Sequence, residues 1–223
     1  MNMKTKYISL SVWAVLLALT MTSCDGLLNQ PPYDDFTDEE YWQNEDQART
    51  YMYGFYTSVF SGYGTGTSHG PFLMGQTLND DFASDVEQKD LTPLVVPETD
   101  GSWSFSNIRK ANYALASIER IDATPAAKNH WRGVARFFRA CYYSNLVFRY
   151  GDVPWYDRVP KLSDRKEDMD YLYKDRDPRA FVDSCIMADF QYAMDSVREN
   201  DGVLQVNRYV VAAMASRLML REG

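Results

Sequence analysis

The chain has 223 residues, 45% hydrophobic and 24% charged, the balance of an ordinary globular protein of one or two domains. Its 31 acidic against 23 basic residues give a net charge of −8, which argues against nucleic acid, because phosphates must be met by clustered cations. Three widely spaced cysteines do not make a disulfide framework or a zinc site, and the composition excludes collagen, coiled-coil and multi-pass membrane classes.

Residues 1–24, MNMKTKYISLSVWAVLLALTMTSC, read as an export signal. Lys4 and Lys6 supply its positive start, and Tyr7 to Leu19 form an apolar core. That core is shorter than the about 20 apolar residues a bilayer span needs. Thr22-Ser23-Cys24 is similar to a bacterial lipobox, with Met21 where that motif prefers Leu. Cys24 is therefore the expected lipidation site, since only a thiol there can be alkylated by diacylglycerol before cleavage frees its amine. Two or more acyl chains, at about 0.8 kcal/mol per buried methylene, give lasting anchorage where one does not. Loss of residues 1–23 removes two lysines and no acid, taking the charge from −8 to −10. The expected organisation is a lipoprotein signal peptide over 1–23, an extended Pro- and Asp-rich tether over 24–44 and a helical domain over 45–223.

From Glu45 the pattern is helical: Ala48, Tyr51, Met52, Phe55, Tyr56 and Val59 fall on one face. Four glycines break it between Ser61 and Gly70, and Pro71 to Gly101 reads as a long irregular loop of the kind that binds something or is disordered. A second helix is predicted over Ser104–Ile121 with Ile108, Ala111, Leu115 and Ile118 inward. The third, Ala126–Tyr150, carries the stripe Trp131, Val134, Ala135, Phe138, Cys141, Tyr142 and Leu146, and Gly151 with Pro154 ends it. A polar loop is predicted from Arg158 to Arg176. Asp177 is then expected to cap a fourth helix, with Pro178 in its first turn and Phe181, Cys185, Ala188 and Tyr192 inward. A fifth opens at Asn207 with Val210, Met214 and Leu218 inward. Period-two alternation is nearly absent, so the fold class is mostly α. Alanines at 135, 140, 188, 193, 212, 213 and 215 suit close helix approach in a stacked-pair superhelix, although no exact repeat is present.

Catalytic signals are weak. The histidines, His69 and His130, are expected at the surface or at helix ends, and Ser68 beside His69 is no triad, since triad members meet through space. Asp80 and Asp81 resemble a glycosidase pair only in type, and paired acids arise freely in so acidic a chain. Asp164, Asp168, Asp170, Asp175 and Asp177 miss the calcium-loop spacing and read as a solvated loop. Gly62 to Gly66 follows no strand and opens no helix, so it is no dinucleotide fingerprint. No metal and no cofactor are expected. Arg132, Arg136 and Arg139 line one side of the third helix, placed either to grip an anion or to pair with acids on neighbouring elements. Cys141 and Cys185 are expected as buried thiols, although export permits a disulfide. Tyr63, Phe72 and Trp103 stand apart from the helical stripes and are the candidate ligand-binding rings, on which a sugar's C–H face could stack; core packing under the loop is the competing reading.

Ala135-Arg136-Phe137-Phe138-Arg139-Ala140, then Tyr142, Tyr143 and Leu146, then Tyr150-Gly151-Asp152-Val153-Pro154 resemble the SusD/RagB family. Gly54-Phe55-Tyr56, the Trp103…Ile108…Ala111-Asn112 pattern, Asp189-Phe190 with Ala193, and Asn207-Arg208-Tyr209 before the alanine-rich helix agree in order. The resemblance implies tetratricopeptide-like helix pairs with long loops, in an N-terminal half of a longer chain. It implies a Bacteroidetes surface lipoprotein of the outer membrane that is a binding protein and not an enzyme. Its partners would be a SusC-like TonB-dependent transporter and an oligosaccharide or peptide ligand. Arg136, Arg139, Tyr150, Gly151, Asp152 and Pro154 would be signature structural residues. A second reading is a helical-repeat scaffold that docks on the transporter without a ligand site of its own.

Overall fold

A capping box opens the first helix. Asn44 Oδ1 accepts from the Gln47 N–H at 3.1 Å, while Gln47 Oε1 accepts from the Asn44 N–H at 3.0 Å. Helix α1, Glu45–Val59, buries Ala48, Met52 and Phe55, with Tyr51, Tyr56 and Val59 of the expected stripe half-buried at its edge. The computed structural model describes residues 41–60, 102–160 and 165–222. The signal segment, Cys24, Tyr63, Phe72, His69 and the Asp80/Asp81 pair lie outside the described residues. The compact unit begins at Trp42, within the stretch expected as tether. Trp42 is buried and donates from Nε1 to the Tyr113 hydroxyl at 3.1 Å.

Helix α2, Ser106–Ser117, is shorter than predicted at both ends. It buries Ile108, Ala111, Asn112, Ala114 and Ser117, leaving Leu115 half-buried. Helix α3, Pro125–Tyr150, starts with Thr124 Oγ1 accepting from the Ala127 N–H at 3.2 Å and Pro125 in the first turn. It stops at Gly151, whose φ of 71° falls where only glycine is at ease. Helix α3 packs against α1 and α2 and also against the two helices that follow the next short one, so it buries residues on nearly every side. This is why Tyr143 is fully buried and the predicted Tyr142 only half-buried: a central helix has no single inward stripe.

The segment predicted as a polar loop contains a short helix, α4, Lys166–Leu172, in which Asp168 is buried and lies 3.3 Å from Arg165. Helix α5, Arg179–Ser196, departs from expectation on two points. Asp177 does not cap it; the Asp152 carboxylate does, accepting from the Arg179 N–H at 2.8 Å. The inward face is Val182, Ile186, Asp189, Phe190 and Ala193, not Phe181, Cys185, Ala188 and Tyr192, and Phe181 is 49% exposed. The face is turned because Asp189, an acid, is an inward residue with a buried partner. Where α3 and α5 approach, Gly133 leaves no room for a side chain: a Cβ there would stand 2.8 Å from Val197 Cγ2. Helix α6, Arg208–Glu222, buries Val211, Ala215 and Leu218, with Val210 and Met214 half-buried.

The core is aromatic where α1 meets α3, with the Phe55 ring stacked 5.2 Å from Phe138 and Tyr56 edge-on at 5.1 Å. No β-strand occurs among the described residues, only the isolated bridges Asn44–Asp122 and Val153–Asp177. The fold is mostly α, built of packed helix pairs around α3. No helix among the described residues is long and apolar enough to cross a membrane.

His130 is 1% exposed in the second turn of α3, not at the surface. Its Nδ1 accepts from the Arg198 N–H at 3.1 Å, and Nε2 lies 3.3 Å from Asp201 Oδ2 without an aligned hydrogen bond. Burial foremost, with the Arg198 guanidinium assisting and Asp201 opposing, depresses its pKa from 6.5 to about 4. An unfolded chain therefore takes up this proton at higher pH than the folded one. The contribution of the neutral ring is fully present above about pH 6.5 and is lost as pH falls towards about 4. The urea midpoint is expected to drop between about pH 7.5 and about pH 5, and to drop less in His130→Asn. Equal drops in the two proteins would remove His130 as the cause.

Candidate functional site

The site is positioned by a buried polar network. Arg139 on α3 makes a two-pronged ion pair with Asp189 on α5, Nε to Oδ2 at 2.7 Å and Nη2 to Oδ1 at 2.8 Å. Its Nη1 donates to Asn112 Oδ1 on α2 at 2.7 Å and to the Asp157 carbonyl at 3.2 Å. Asn112 in turn donates from Nδ2 to the Tyr156 carbonyl at 2.8 Å. One guanidinium thus fastens two helices and the strap after α3 to a third. Of the arginine row, Arg136 also reaches Asp189, at 3.6 Å, and Arg132 donates to Glu119 at 2.6 Å, so all three pair with acids on neighbouring elements.

The Tyr-Gly-Asp-Val-Pro run acquires a role residue by residue. Gly151 turns the chain through its positive φ, and Asp152 caps α5. Val153 is buried, and its carbonyl accepts from the Asp177 N–H at 3.2 Å. The Pro154 carbonyl accepts from the Tyr143 hydroxyl at 3.3 Å, and that oxygen accepts from the Tyr156 N–H at 2.6 Å. Asp177 accepts from the Trp155 N–H at 2.7 Å and lies 2.5 Å from Lys174 Nζ. Burial would raise its pKa, but the ammonium and the N–H outweigh burial and lower it.

This strap forms one wall of a groove of about 360 Å³. Phe105, Ser106, Ile108, Arg109 and Asn112 line the α2 side; Tyr156, Arg158 and Pro160 line the strap side, and Leu172 closes it from the end of α4. The lining is mostly apolar, the Phe105 and Tyr156 rings meet edge-to-face at 5.4 Å, and the Tyr156 hydroxyl donates to the Leu172 carbonyl at 2.9 Å. Trp103 stands beside it, 38% exposed, edge-on to Phe105 at 5.4 Å and to Tyr150 at 4.9 Å. The Arg176 guanidinium lies 4.7 Å from the Trp103 ring centroid. Such a groove can hold the apolar face of a ligand and meet polar groups at its rim.

Of the rings singled out in the sequence, Trp103 is placed at this corner. Tyr63 and Phe72 lie outside the described residues. Sequence reasoning missed Phe105, Tyr156 and Leu172, which come from three separate segments; the pair Trp155-Tyr156 directly after the signature motif was the available signal. Cys141, buried, and Cys185, half-buried, are free thiols, and burial pushes the first up to about 12. No cluster of metal-ligating side chains occurs among the described residues.

Residues 74–220 match the SusD-like family described as starch-binding and associating with the outer membrane. A SusD-like protein of Formosa agariphila is 25% identical over 166 residues, covering 70% of this chain and 32% of that protein. The crystal structure of a SusD-like protein from Bacteroides fragilis superposes with a TM-score of 0.58 at 20% identity, over 86% of this chain and 38% of its own. A SusD-like carbohydrate-binding protein from Bacteroides vulgatus gives a TM-score of 0.50 at 18% identity, over 80% and 41%. The chain therefore spans a third to two fifths of the length of these relatives, and the tetratricopeptide-like helical fold is shared. With the family matched over most of the chain, the conclusion follows that this protein belongs to the SusD-like family.

Proposed function

We propose that the protein is a lipid-anchored outer-membrane binding protein that captures a glycan and passes it to a TonB-dependent transporter. The observation that carries this reading is the aromatic groove between α2 and the strap, with Trp103 at its side. Phe105 and Tyr156 offer the ring surface on which a sugar's C–H face gains contact, and the Arg139 network, through Asn112, pins the Tyr156 backbone without a ligand. Cys24 supplies the anchor, and cell-surface exposure brings the groove to extracellular polymers.

Affinity electrophoresis of the full chain through gels containing soluble polysaccharides tests it. At least one polymer is expected to retard the protein, and Trp103→Ala to weaken the retardation. Phe148→Ala, an exposed aromatic packed by Arg221 instead, should leave it unchanged. Folded protein that no polymer retards would remove glycan binding and leave the scaffold role, to be read from co-purification with the transporter. Cys24→Ser is expected to move the protein from the membrane to the soluble fraction.

A further inference from the structure

We infer that the groove between α2 and the strap selects an acidic sugar, a uronate ring whose carboxylate meets Arg109 and Arg158; the inference rests on the glycan reading above. Both arginines line the groove and both are exposed. Neither has a carboxylate partner among the described residues, whereas Arg132, Arg139, Arg179 and Arg198 each have one. Asp157, next in the chain to Arg158, takes its hydrogen bond from the Tyr171 hydroxyl at 3.1 Å instead. The Arg158 guanidinium lies 4.4 Å from the Tyr171 ring centroid, a stacking contact that orients the cation while leaving its N–H edge for another acceptor. In a chain of net charge −8, two guanidinium groups without a carboxylate partner among the described residues stand on the lining of one apolar groove.

The inner wall points the same way. Asn112 is spent, its Oδ1 on Arg139 and its Nδ2 on the Tyr156 and Arg158 carbonyls, and the Tyr156 hydroxyl is spent on Leu172. Ser106 remains as the neutral hydroxyl on the lining. The inner wall therefore offers few free polar partners to any sugar, and discrimination falls to the charged groups at the rim. A uronate can turn its C–H face to the apolar wall and its carboxylate to the rim, where guanidinium groups bind it through paired, charge-assisted hydrogen bonds.

The test is calorimetric titration of the full chain with acidic tetrasaccharides of galacturonate, glucuronate and mannuronate type, and with the methyl esters of each. The esters keep the rings and remove the charge. At least one acid is expected to bind at least about tenfold more tightly than its ester, and Arg109→Gln/Arg158→Gln to erase that difference. Both side chains are exposed, so an unchanged urea midpoint is expected to show the double variant folded. Preference for the esters or other neutral saccharides, or a double variant that still prefers the acid, would overturn the inference and leave glycan binding standing. If no saccharide of either kind binds, both readings fall together.

Discussion

Arg139→Ala is expected to cost about 3–5 kcal/mol of folding stability, because it strands a buried carboxylate. Asp189 is 3% exposed, and without Arg139 the remaining cation within reach is Arg136, at 3.6 Å and itself 35% exposed. The same change frees Asn112 Oδ1 and the Asp157 carbonyl from their donor. Arg139→Lys is expected to recover only part of the loss, since an ammonium cannot hold both carboxylate oxygens and Asn112 together as the planar fork does. The pair Arg139→Met/Asp189→Leu should lose less than Arg139→Ala alone, because it removes both charges instead of orphaning one. Urea titrations of the four proteins decide this. A loss below about 1 kcal/mol for Arg139→Ala would mean that Arg136 swings in to replace it.

Phe138→Ala is expected to cost a similar amount, about 3–5 kcal/mol, by a different cause. The Phe138 ring is fully buried and meets Phe55, Tyr56 and Phe137 at centroid distances of 5.2, 5.1 and 5.2 Å. These contacts span α1 and α3, so collapse into the space would require two helices to move, and a cavity that cannot close is the expensive kind. Phe148, on the same helix, is 64% exposed, and Phe148→Ala should change stability by no more than about 0.5 kcal/mol. Thermal or urea midpoints measured side by side check the contrast. Equal losses at the two positions would contradict the placement of α3 at the centre of the fold.

These two residues also mark what could be read from the sequence. Phe138 lies on the apolar stripe that located α3 to within one residue at its start, and the stripe through Ala48, Met52 and Phe55 located α1. There, periodicity and packing agree. In α5 they do not: Asp189 belongs to the inward face, and a stripe that includes a carboxylate is invisible to a search for apolar residues. The neighbouring row of Phe181, Cys185, Ala188 and Tyr192 carries no charge and is the one that apolar spacing predicts. Helix α4 escaped for the same reason, since its buried residue is Asp168. The Arg139 network was half-visible, as the arginine row was apparent and its partner, 50 positions away, was not. The groove was the least legible feature, because Phe105, Tyr156 and Leu172 share no local pattern and meet only after the strap is pinned.

The clamp of Asp152 and Val153 onto Asp177 and Arg179 has an evolutionary consequence. It closes the chain between its two halves into an excursion whose ends are fixed by the fold, and doubling the length of such a closed loop adds only about 0.6 kcal/mol of closure entropy. Arg158, Pro160 and Leu172 sit on that excursion, while Phe105, Ile108 and Asn112 sit on or beside a framework helix. One wall can therefore diversify by insertion, deletion and recombination while the other is conserved with the core. On the proposed glycan-binding reading, a lineage that meets new polymers can retune what it holds by swapping a cassette of some twenty residues, about the span from Asp157 to Arg176, without redesigning the scaffold.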